Sequence, residues 1–313
     1  MENVLIIGPS VTDIVQRVRK LPQEGEEIRP LKTEERISGA GYCAAHLFAL
    51  ADMPAFLYTN IGSGIYAEKV RAQLERENIA CESRNEETAG CMYTLCDPEG
   101  NTVRMAVPGS EYGFLPIGSL NSGRFVFLDG SYLYDETSDL FPEVFTSGEK
   151  TVLFAPHYAG AEADPDLFRT ILESGPWLAM TEEEAAMCGG REKDLRKIVQ
   201  GLNAVTHQPV IILRTGGSGY YFDGRDEFEV KAGKGRIIDR AGMAEAHTAA
   251  FLLAKNAGAD NRSAMTFAGE CAALAGSSAS SVISEKDRET VRSLLVQAIL
   301  TESRGGRMQD FLS

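Results

Sequence analysis

The sequence predicts an α/β protein with a mostly parallel main sheet and a second, smaller sheet. From Phe125 onward, short apolar runs alternate with helical stretches, which is the strand–helix–strand order of a parallel sheet covered by helices. Before that point, segment 13–38 alternates apolar with polar residues, and segment 91–107 is a hairpin around a Pro/Gly turn. These two segments are expected to pair outside the main sheet as half-exposed strands.

The first half of the chain supplies two main-sheet strands and two helices. Val4–Ile7 is a continuous apolar run that stops at Gly8-Pro9, which is typical of a buried parallel strand. A helix rich in small residues is predicted from Gly39, a second strand at 56–58, and an amphipathic helix over 66–78.

The second half continues the same alternation. Strands are predicted at four apolar runs, 125–128, 151–154, 177–180 and 210–213. Helices are predicted between them, at 165–173, 183–188 and 194–203. Two short runs around Asp223-Gly224, at 220–222 and 228–230, predict an antiparallel edge.

Charge and composition limit the function classes. The 313-residue chain carries 31 Lys and Arg against 45 Asp and Glu, a formal charge of −14, which disfavours nucleic acid and anionic membranes as partners. No apolar run reaches the roughly 20 residues of a membrane span, and the first residues lack the pattern of a signal peptide. The six cysteines form no C-x-x-C pair and are interpreted as reduced thiols, so a cytoplasmic protein is expected.

Segment 237–253 has the pattern of a strand, a tight turn and a helix start. An apolar pair ends in Asp239, the turn lies around Gly242, and the helix opens with Glu245 in its first turn. Free backbone N–H groups at a helix start favour an anion such as phosphate. Glu245 has two interpretations: it complements the helix dipole, or it takes a proton from a hydroxyl that attacks a bound phosphate.

This segment resembles the C-terminal signature of the PfkB, or ribokinase-like, family of sugar and nucleoside kinases, D-T-x-G-A-G-D-x-F-x-A-G-F. Asp239 and Gly242 match the signature. Met243, Ala244 and Glu245 stand where the family has Ala, Gly and the catalytic Asp. The resemblance implies that Gly242, Met243, Ala244 and Glu245 form the catalytic element.

The order of predicted elements also resembles the family over nearly the whole chain. It implies one ribokinase-like domain spanning residues 1–313, built as three α/β/α layers around a mostly parallel central sheet. Segments of about 13–38 and 91–107 would form the family's small β-sheet lid. A small sheet with one apolar face seldom stands alone, so a homodimer through the lid is expected.

The resemblance implies four substrate-binding residues. Asp13 resembles the family Asp that holds sugar hydroxyls, and a carboxylate suits that task because it accepts several hydrogen bonds. Gly39 and Gly41 resemble glycines that let the backbone approach a ligand closely. Cys43 replaces the family's substrate-binding Asn, and a thiol lacks the paired donors and acceptors of an amide.

A second group of residues resembles the family's phosphate and metal positions. Thr181 and Glu184 stand where the family has N-x-x-E, whose Glu organises Mg²⁺ and phosphate through water. The same two residues form a capping-box pattern, and both interpretations stay open. Ala155-Pro156-His157 stands where the family has Asp-Pro-Asn, so another polar residue near the phosphates is replaced.

The family's nucleotide loop corresponds to a glycine-rich turn after the strand at 210–213. Gly216 and Gly219 match T-x-G-x-x-G, and Arg214 replaces its Thr. Such a loop either cradles phosphate or makes a plain turn, and Arg214 either pairs with phosphate or is a surface charge. Gly269 stands in place of an Asn beside the family's adenine pocket.

The resemblance implies ATP- and Mg²⁺-dependent phosphoryl transfer to a hydroxyl of a sugar or nucleoside, with Glu245 as the base. Glu is as basic as Asp, but its extra methylene moves the carboxylate by about 1.5 Å, and a misplacement of about 1 Å can cost roughly 100-fold in rate. The alternative is a catalytically impaired homologue that binds a sugar or nucleoside, and a third possibility is a kinase with an unusual substrate or phosphate donor. The alternative arises because several site positions have changed together: Cys43, Ala155, Thr181, Arg214, Met243, Ala244 and Glu245.

Overall fold

We describe a computed structural model of the chain that covers residues 4–83, 87–113, 124–134 and 150–309. Strands within these ranges form a nine-stranded main sheet and a separate four-stranded sheet. The main sheet consists of β1 (Val4–Ile7), β4 (Ala55–Tyr58), β5 (Cys81–Glu82), β8 (Phe125–Asp129), β9 (Thr151–Ala155), β10 (Trp177–Thr181), β11 (Val210–Leu213), β12 (Gly219–Phe222) and β13 (Glu227–Val230).

The main sheet is mostly parallel. Its order is β13-β12-β11-β10-β9-β8-β1-β4-β5, and the pairs from β11 to β5 are all parallel. Only the β11–β12 and β12–β13 pairs are antiparallel, so the predicted antiparallel edge is confirmed. The two-residue strand β5 was not predicted, because it is too short to produce a pattern.

Helices cover both faces of the main sheet. One face carries α1 (Ala40–Leu50), α2 (Ile65–Arg76), α7 (Met243–Asn256), α8 (Asn261–Gly276) and α9 (Arg288–Gln309). The other face carries α3 (His157–Glu162), α4 (Pro165–Glu173), α5 (Glu182–Cys188) and α6 (Leu195–Thr206). Within the described ranges, none of these helices combines the length and the apolar character needed to cross a bilayer.

Two hydrophobic cores follow from this arrangement. Successive side chains of β1 point to opposite faces, so Val4 and Ile6 join the core under α1 and α7. Leu5 and Ile7 join the core under α4 and α6. The predicted three-layer α/β/α architecture is therefore confirmed, and the continuous apolar run of β1 is explained by burial on both faces.

The four-stranded sheet contains β2 (Val11–Arg17), β3 (Lys32–Ser38), β6 (Cys91–Cys96) and β7 (Thr102–Val107) in the order β3-β2-β6-β7. We call these four strands the lid. They are the segments from which a small second sheet was predicted, and that prediction is confirmed. The expected division of the chain into one domain with an inserted lid stays a prediction.

The prediction that the lid strands are half-exposed is wrong for β2. Val11, Thr12, Asp13 and Val15 are all buried. The strand lies in the centre of the lid between β3 and β6, and the Thr12 hydroxyl donates to the Tyr66 carbonyl of α2 at 3.0 Å. Contact with α2 and with the main domain therefore covers both faces of this strand.

The lid is closed over the segment that leads into α7. Gly100, in the β6–β7 turn, has φ +81°, and a Cβ at this position would lie 3.0 Å from the Ile238 carbonyl oxygen. At the opposite edge of the lid, on β3, the Ile37 carbonyl accepts from the Ser281 hydroxyl at 3.0 Å. The inner face of the lid, which carries Asp13 and Arg36, therefore lies against the main domain.

The outer face of β7 is the surface through which we expect the lid to form a dimer. Val103, Met105 and Val107 share that face and are 51%, 59% and 42% exposed. We expect the wild type to be a dimer at micromolar concentration by light scattering, and Met105→Lys to be a monomer because it places charge in the apolar contact. Val296→Lys, at an equally exposed position of α9 (52%), is the control and should stay dimeric. A monomeric wild type would contradict this prediction.

Candidate functional site

A cavity of about 400 Å³ lies between the inner face of the lid, the carboxyl ends of the main-sheet strands and the start of α7. This is where parallel α/β sheets bind ligands. Nine predicted site residues line the cavity: Gly39, Thr181, Glu184, Arg214, Gly216, Gly242, Met243, Ala244 and Glu245. The other five lie outside its lining: Asp13, Gly41, Cys43, Gly219 and Gly269.

The turn before α7 is built around Gly242. This residue has φ +80°, and a Cβ would lie 1.7 Å from the Ser281 carbonyl oxygen, so no other residue fits. The Asp239 carboxylate accepts from the Ala241 N–H at 3.0 Å and holds the turn from the other side. The first N–H groups of α7, which have no acceptor within the helix, consequently begin at the cavity wall.

Glu245 is half-buried in the first turn of α7 and lines the cavity together with Ala244. Met243 also reaches the lining, but its side chain packs against Gly276 and Leu213. A Cβ on Gly276 would lie 2.8 Å from the Met243 sulfur. The Met that replaces the family's Ala at position 243 is therefore accommodated by a glycine in α8. Met243 therefore has a packing role, whereas Glu245 is the acid that faces the cavity.

Asp13 lies outside the cavity in a buried ion-pair network. Its Oδ2 accepts from Arg36 Nε at 2.9 Å, and its Oδ1 accepts from the Thr94 hydroxyl at 2.7 Å. Arg36 Nη1 also donates to Asp239 Oδ2 at 3.0 Å, and Arg17 Nη2 lies 3.3 Å from the same oxygen. Both carboxylates are fully buried and each already has a cationic partner. The role of Asp13 in holding a substrate stays a prediction, and this geometry is unfavourable to it.

Gly41 and Cys43 are held in the protein interior. A Cβ on Gly41 would lie 2.2 Å from the Gly8 carbonyl oxygen, so this glycine allows α1 to pack against the end of β1. The Cys43 thiol donates to the Ser281 carbonyl at 3.4 Å, and burial raises its pKa. Gly39 is the member of this group that lines the cavity.

At the opposite end of the cavity, Thr181 and Glu184 form a complete capping box. The Glu184 N–H donates to the Thr181 hydroxyl at 3.2 Å, and the Thr181 N–H donates to Glu184 Oε2 at 2.7 Å. The capping interpretation is thus confirmed. The capping box uses only the Oε2 oxygen of Glu184. The other oxygen, Oε1, accepts from His157 Nδ1 at 3.2 Å.

His157 lies between two carboxylates, an arrangement that the sequence did not predict. Its Nε2 is 2.7 Å from Asp129 Oδ2, an ion pair without good hydrogen-bond alignment, and its Nδ1 faces Glu184. Burial alone would lower the pKa of His157, but the charges of Asp129 and Glu184 outweigh it and hold the pKa well above its ordinary value. His157 is therefore an imidazolium at neutral pH, and it neutralises part of the negative charge of Asp129 and Glu184.

The glycine-rich turn after β11 also lines the cavity. Gly216 and Gly217 have φ values of +102° and +89°, conformations that favour glycine. Arg214 is paired with Glu229 at 2.6 Å and with Glu182 at 3.3 Å. It is thus a member of an internal ion-pair cluster in this closed form, and its phosphate-binding role stays a prediction.

Gly219 and Gly269 are interior packing positions. A Cβ on Gly219 would lie 2.7 Å from the Met265 methyl group, and Gly269 lies in α8 near the Lys231 carbonyl oxygen. Their predicted contact with a nucleotide is untested.

Two cavity arginines were missed by sequence reasoning. Arg104 on β7 and Arg240 before α7 are exposed cavity residues, and neither has a side-chain hydrogen bond or ion pair within the described part of the chain. Their signals were weak: Arg104 is one polar residue in an alternating strand, and Arg240 replaces the Thr of the family signature D-T-x-G-A-G-D. In contrast to Arg214, both cations are unpaired.

The imidazolium of His157 predicts a pH dependence. Its pKa is raised on folding, so its contribution to stability is fully present below the unfolded pKa of about 6.5 and is lost as pH rises toward the higher folded value. His157→Asn, which tolerates the φ of +51°, should lose about 1–3 kcal/mol at pH 6 and less as pH rises, by urea unfolding. His207→Asn, at an exposed histidine with φ +54°, is the control. A difference that does not change with pH would contradict the ion pair.

Solved structures share this fold. The ribokinase of Thermotoga maritima has a TM-score of 0.79 and 16% identity, with 93% of this chain and 99% of that chain covered. The nucleoside kinase of Burkholderia thailandensis in complex with inosine has a TM-score of 0.79 and 14% identity, covering 94% and 97%. The ribokinase of Arabidopsis thaliana complexed with ribose and ATP has a TM-score of 0.73 and 19% identity, covering 94% and 98%. The chain thus has the ribokinase-like fold.

Family membership follows from the sequence match. The model of the pfkB family of carbohydrate kinases matches residues 1–288 of this chain. The chain therefore belongs to the pfkB carbohydrate kinase family, as the signature around Gly242 predicted. No curated protein matches the chain at a significant level.

Proposed function

We propose that this protein transfers the γ-phosphoryl group of ATP to a hydroxyl of a small sugar-like or nucleoside-like acceptor. The observation that carries the proposal is that one cavity joins the glycine-rich turn at Gly216 to Glu245 and the N-terminus of α7. The end at Gly216 suits a phosphate donor, and the end at Glu245 suits an alcohol acceptor. We call them the donor end and the acceptor end. The relatives solved with ribose and ATP and with inosine support the same substrate classes.

Glu245 would act as the general base. Its carboxylate accepts the proton of the acceptor hydroxyl as the hydroxyl oxygen bonds to the γ-phosphorus, and the bond to the β-phosphate oxygen breaks to release ADP. The N–H groups at the start of α7 would stabilise the charge on the transferring group. Gly242 positions both groups, because it sets the direction in which α7 starts.

The donor end suits a nucleotide that arrives with Mg²⁺. Glu183, Glu184 and Asp129 line it, and His157 compensates only the last two. Uncompensated phosphates would be repelled there, whereas hydrated Mg²⁺ keeps several waters and binds through one or two carboxylates. Glu183 and Glu184 would hold the ion through water, and the ion would neutralise phosphate charge.

Calorimetric titration with ATP tests the donor end. Binding is expected with Mg²⁺ and not with EDTA. Gly216→Val should weaken binding by about tenfold or more, because a branched residue at φ +102° is strained by roughly 1–3 kcal/mol and displaces the loop. Gly25→Val is the matched control, since Gly25 also has positive φ and open space but does not line the cavity. Equal binding by wild type and Gly216→Val, or no binding with Mg²⁺, would exclude the proposed donor site.

A ligand-binding protein without turnover is the second candidate. The observation that favours it is that three carboxylates at family site positions already have internal cations: Asp13 pairs with Arg36, Asp239 with Arg36 and Arg17, and Glu184 with His157. Binding of an acceptor without transfer from Mg-ATP would favour this candidate. Its expected location, the cytosol, is the same for both candidates and stays a prediction.

A further inference from the structure

The acceptor end of the cavity does not offer a free carboxylate for neutral sugar hydroxyls. Asp13 is fully buried, and both of its oxygens have partners, Arg36 and Thr94. A carboxylate in this state would have to give up a buried ion pair to accept hydrogen bonds from a sugar, which is costly in a low-dielectric environment. Recognition of the acceptor must therefore depend on other groups.

The other groups are cationic. Arg104 lies on the inner face of the lid, in register with Thr94 of β6, and it lines the cavity. Arg240 lines the cavity from the turn that precedes α7. Within the described ranges neither guanidinium has a side-chain partner, and both are free to bind a ligand.

Arg36 does not line the cavity, so it is not counted among these ligand donors. Two of its nitrogens hold Asp13 and Asp239, while Nη2 is buried and has no hydrogen-bond partner within the described ranges. Arg104 is close enough to Tyr112 that, although burial raises the pKa of this phenol, the guanidinium charge opposes the rise. Tyr112 and Arg104 both line this end, and Glu245 lines the same cavity from the first turn of α7.

A guanidinium presents paired N–H donors that match carboxylate and phosphate oxygens, whereas a neutral hydroxyl uses only part of that capacity. On the basis of the proposed phosphoryl transfer, we propose that the acceptor is an anionic alcohol, a sugar acid or a sugar phosphate. Its anionic group binds Arg104, supported by Arg240, and its hydroxyl lies at Glu245. Arg104 is then the residue that determines specificity, and the closed lid holds it in the cavity wall.

Binding in the absence of nucleotide tests this inference with ligand pairs that differ in one anionic group. Calorimetric titrations compare fructose with fructose 6-phosphate and glucose with gluconate, with inorganic phosphate as a further probe. One of the two anionic ligands is expected to bind at least tenfold more tightly than its neutral partner, and this result distinguishes a sugar phosphate from a sugar acid. Arg104→Gln should reduce that affinity by about 10- to 100-fold, the value of a charge-assisted hydrogen-bond pair.

Arg19→Gln is the matched control, because Arg19 is exposed, follows a lid strand and does not line the cavity. The inference is overturned if neutral ligands bind as tightly as anionic ones, if Arg104→Gln binds like Arg19→Gln, or if inorganic phosphate binds as tightly as the sugar phosphate. The last result would indicate a simple anion site. Anion-selective binding without phosphoryl transfer would support the inference and remove the kinase function, whereas transfer to a neutral sugar without anion selectivity would do the opposite.

Discussion

Glu245→Gln is expected to lower turnover by about 10²–10⁴-fold, the usual contribution of a positioned general base. The amide keeps the size and hydrogen bonding of the carboxylate but cannot accept the acceptor's proton. Affinity for Mg-ATP should stay within about twofold of wild type, since the N–H groups of α7 and the turn at Gly216 are unchanged. The measurement is steady-state ADP release, with Mg-ATP affinity determined on the same preparation.

Two further variants complete this experiment. Glu68→Gln replaces an acid in the first turn of α2, outside the cavity, and should leave turnover unchanged. Glu245→Asp shortens the reach of the base while Met243 and Ala244 remain, so a gain in rate would show that side-chain length limits the wild type. Equal activity of wild type and Glu245→Gln would exclude Glu245 as the base.

Arg36→Met is expected to cost about 3–5 kcal/mol of unfolding free energy. Met has a similar length, but Asp13 then lies buried without a cation and Asp239 retains only Arg17 as a cationic partner. The loss should appear as a lower urea midpoint. It arises from uncompensated buried charge, because Asp13 and Asp239 are both fully buried.

Arg29→Met, at an exposed arginine between β2 and β3, is the control and should change stability by less than about 0.5 kcal/mol. The double variant Arg36→Met with Asp13→Asn should recover part of the loss, since a neutral amide no longer requires a cation. A loss below about 1 kcal/mol for Arg36→Met, or no recovery in the double variant, would show that the network is unimportant for stability.

The architecture was predictable because its signals are local. Val4–Ile7 and the later apolar runs carry the period of buried parallel strands, and the hairpin turn around Gly100 identifies β6 and β7. The capping box at Thr181 and Glu184 is a local pattern too, and the structure contains it. Burial of β2 was missed, since it depends on contacts with α2 and the main domain.

Which site residues are already paired with another side chain was not predictable, because this pairing depends on contacts between distant parts of the chain. Asp13 has the sequence context of a sugar-binding residue, but its partner Arg36 comes from the next strand and Asp239 lies more than 200 positions away. Cys43 is paired with Ser281 in the same manner. No local pattern reports which carboxylates already have a cation.

The cations of the cavity show the same limit. His157 follows β9 and meets Asp129 at the end of β8 only because the two strands are neighbours in the sheet. Arg104 faces the cavity because its position in β7 places it on the inner side of the lid. Strand order and register, which the sequence does not state, determine both.

The most direct test of the central claim is a single-turnover experiment with [γ-³²P]ATP, Mg²⁺ and excess enzyme. The acceptor is the tightest-binding ligand from the titrations. Phosphoryl transfer to the acceptor hydroxyl with Glu245 as base predicts that wild type converts the label into a phosphorylated acceptor. Glu245→Gln should bind both ligands but form this product at least about 100-fold more slowly. Tight binding of acceptor and Mg-ATP by wild type with no labelled acceptor formed would contradict the account and establish a binding protein with a kinase fold.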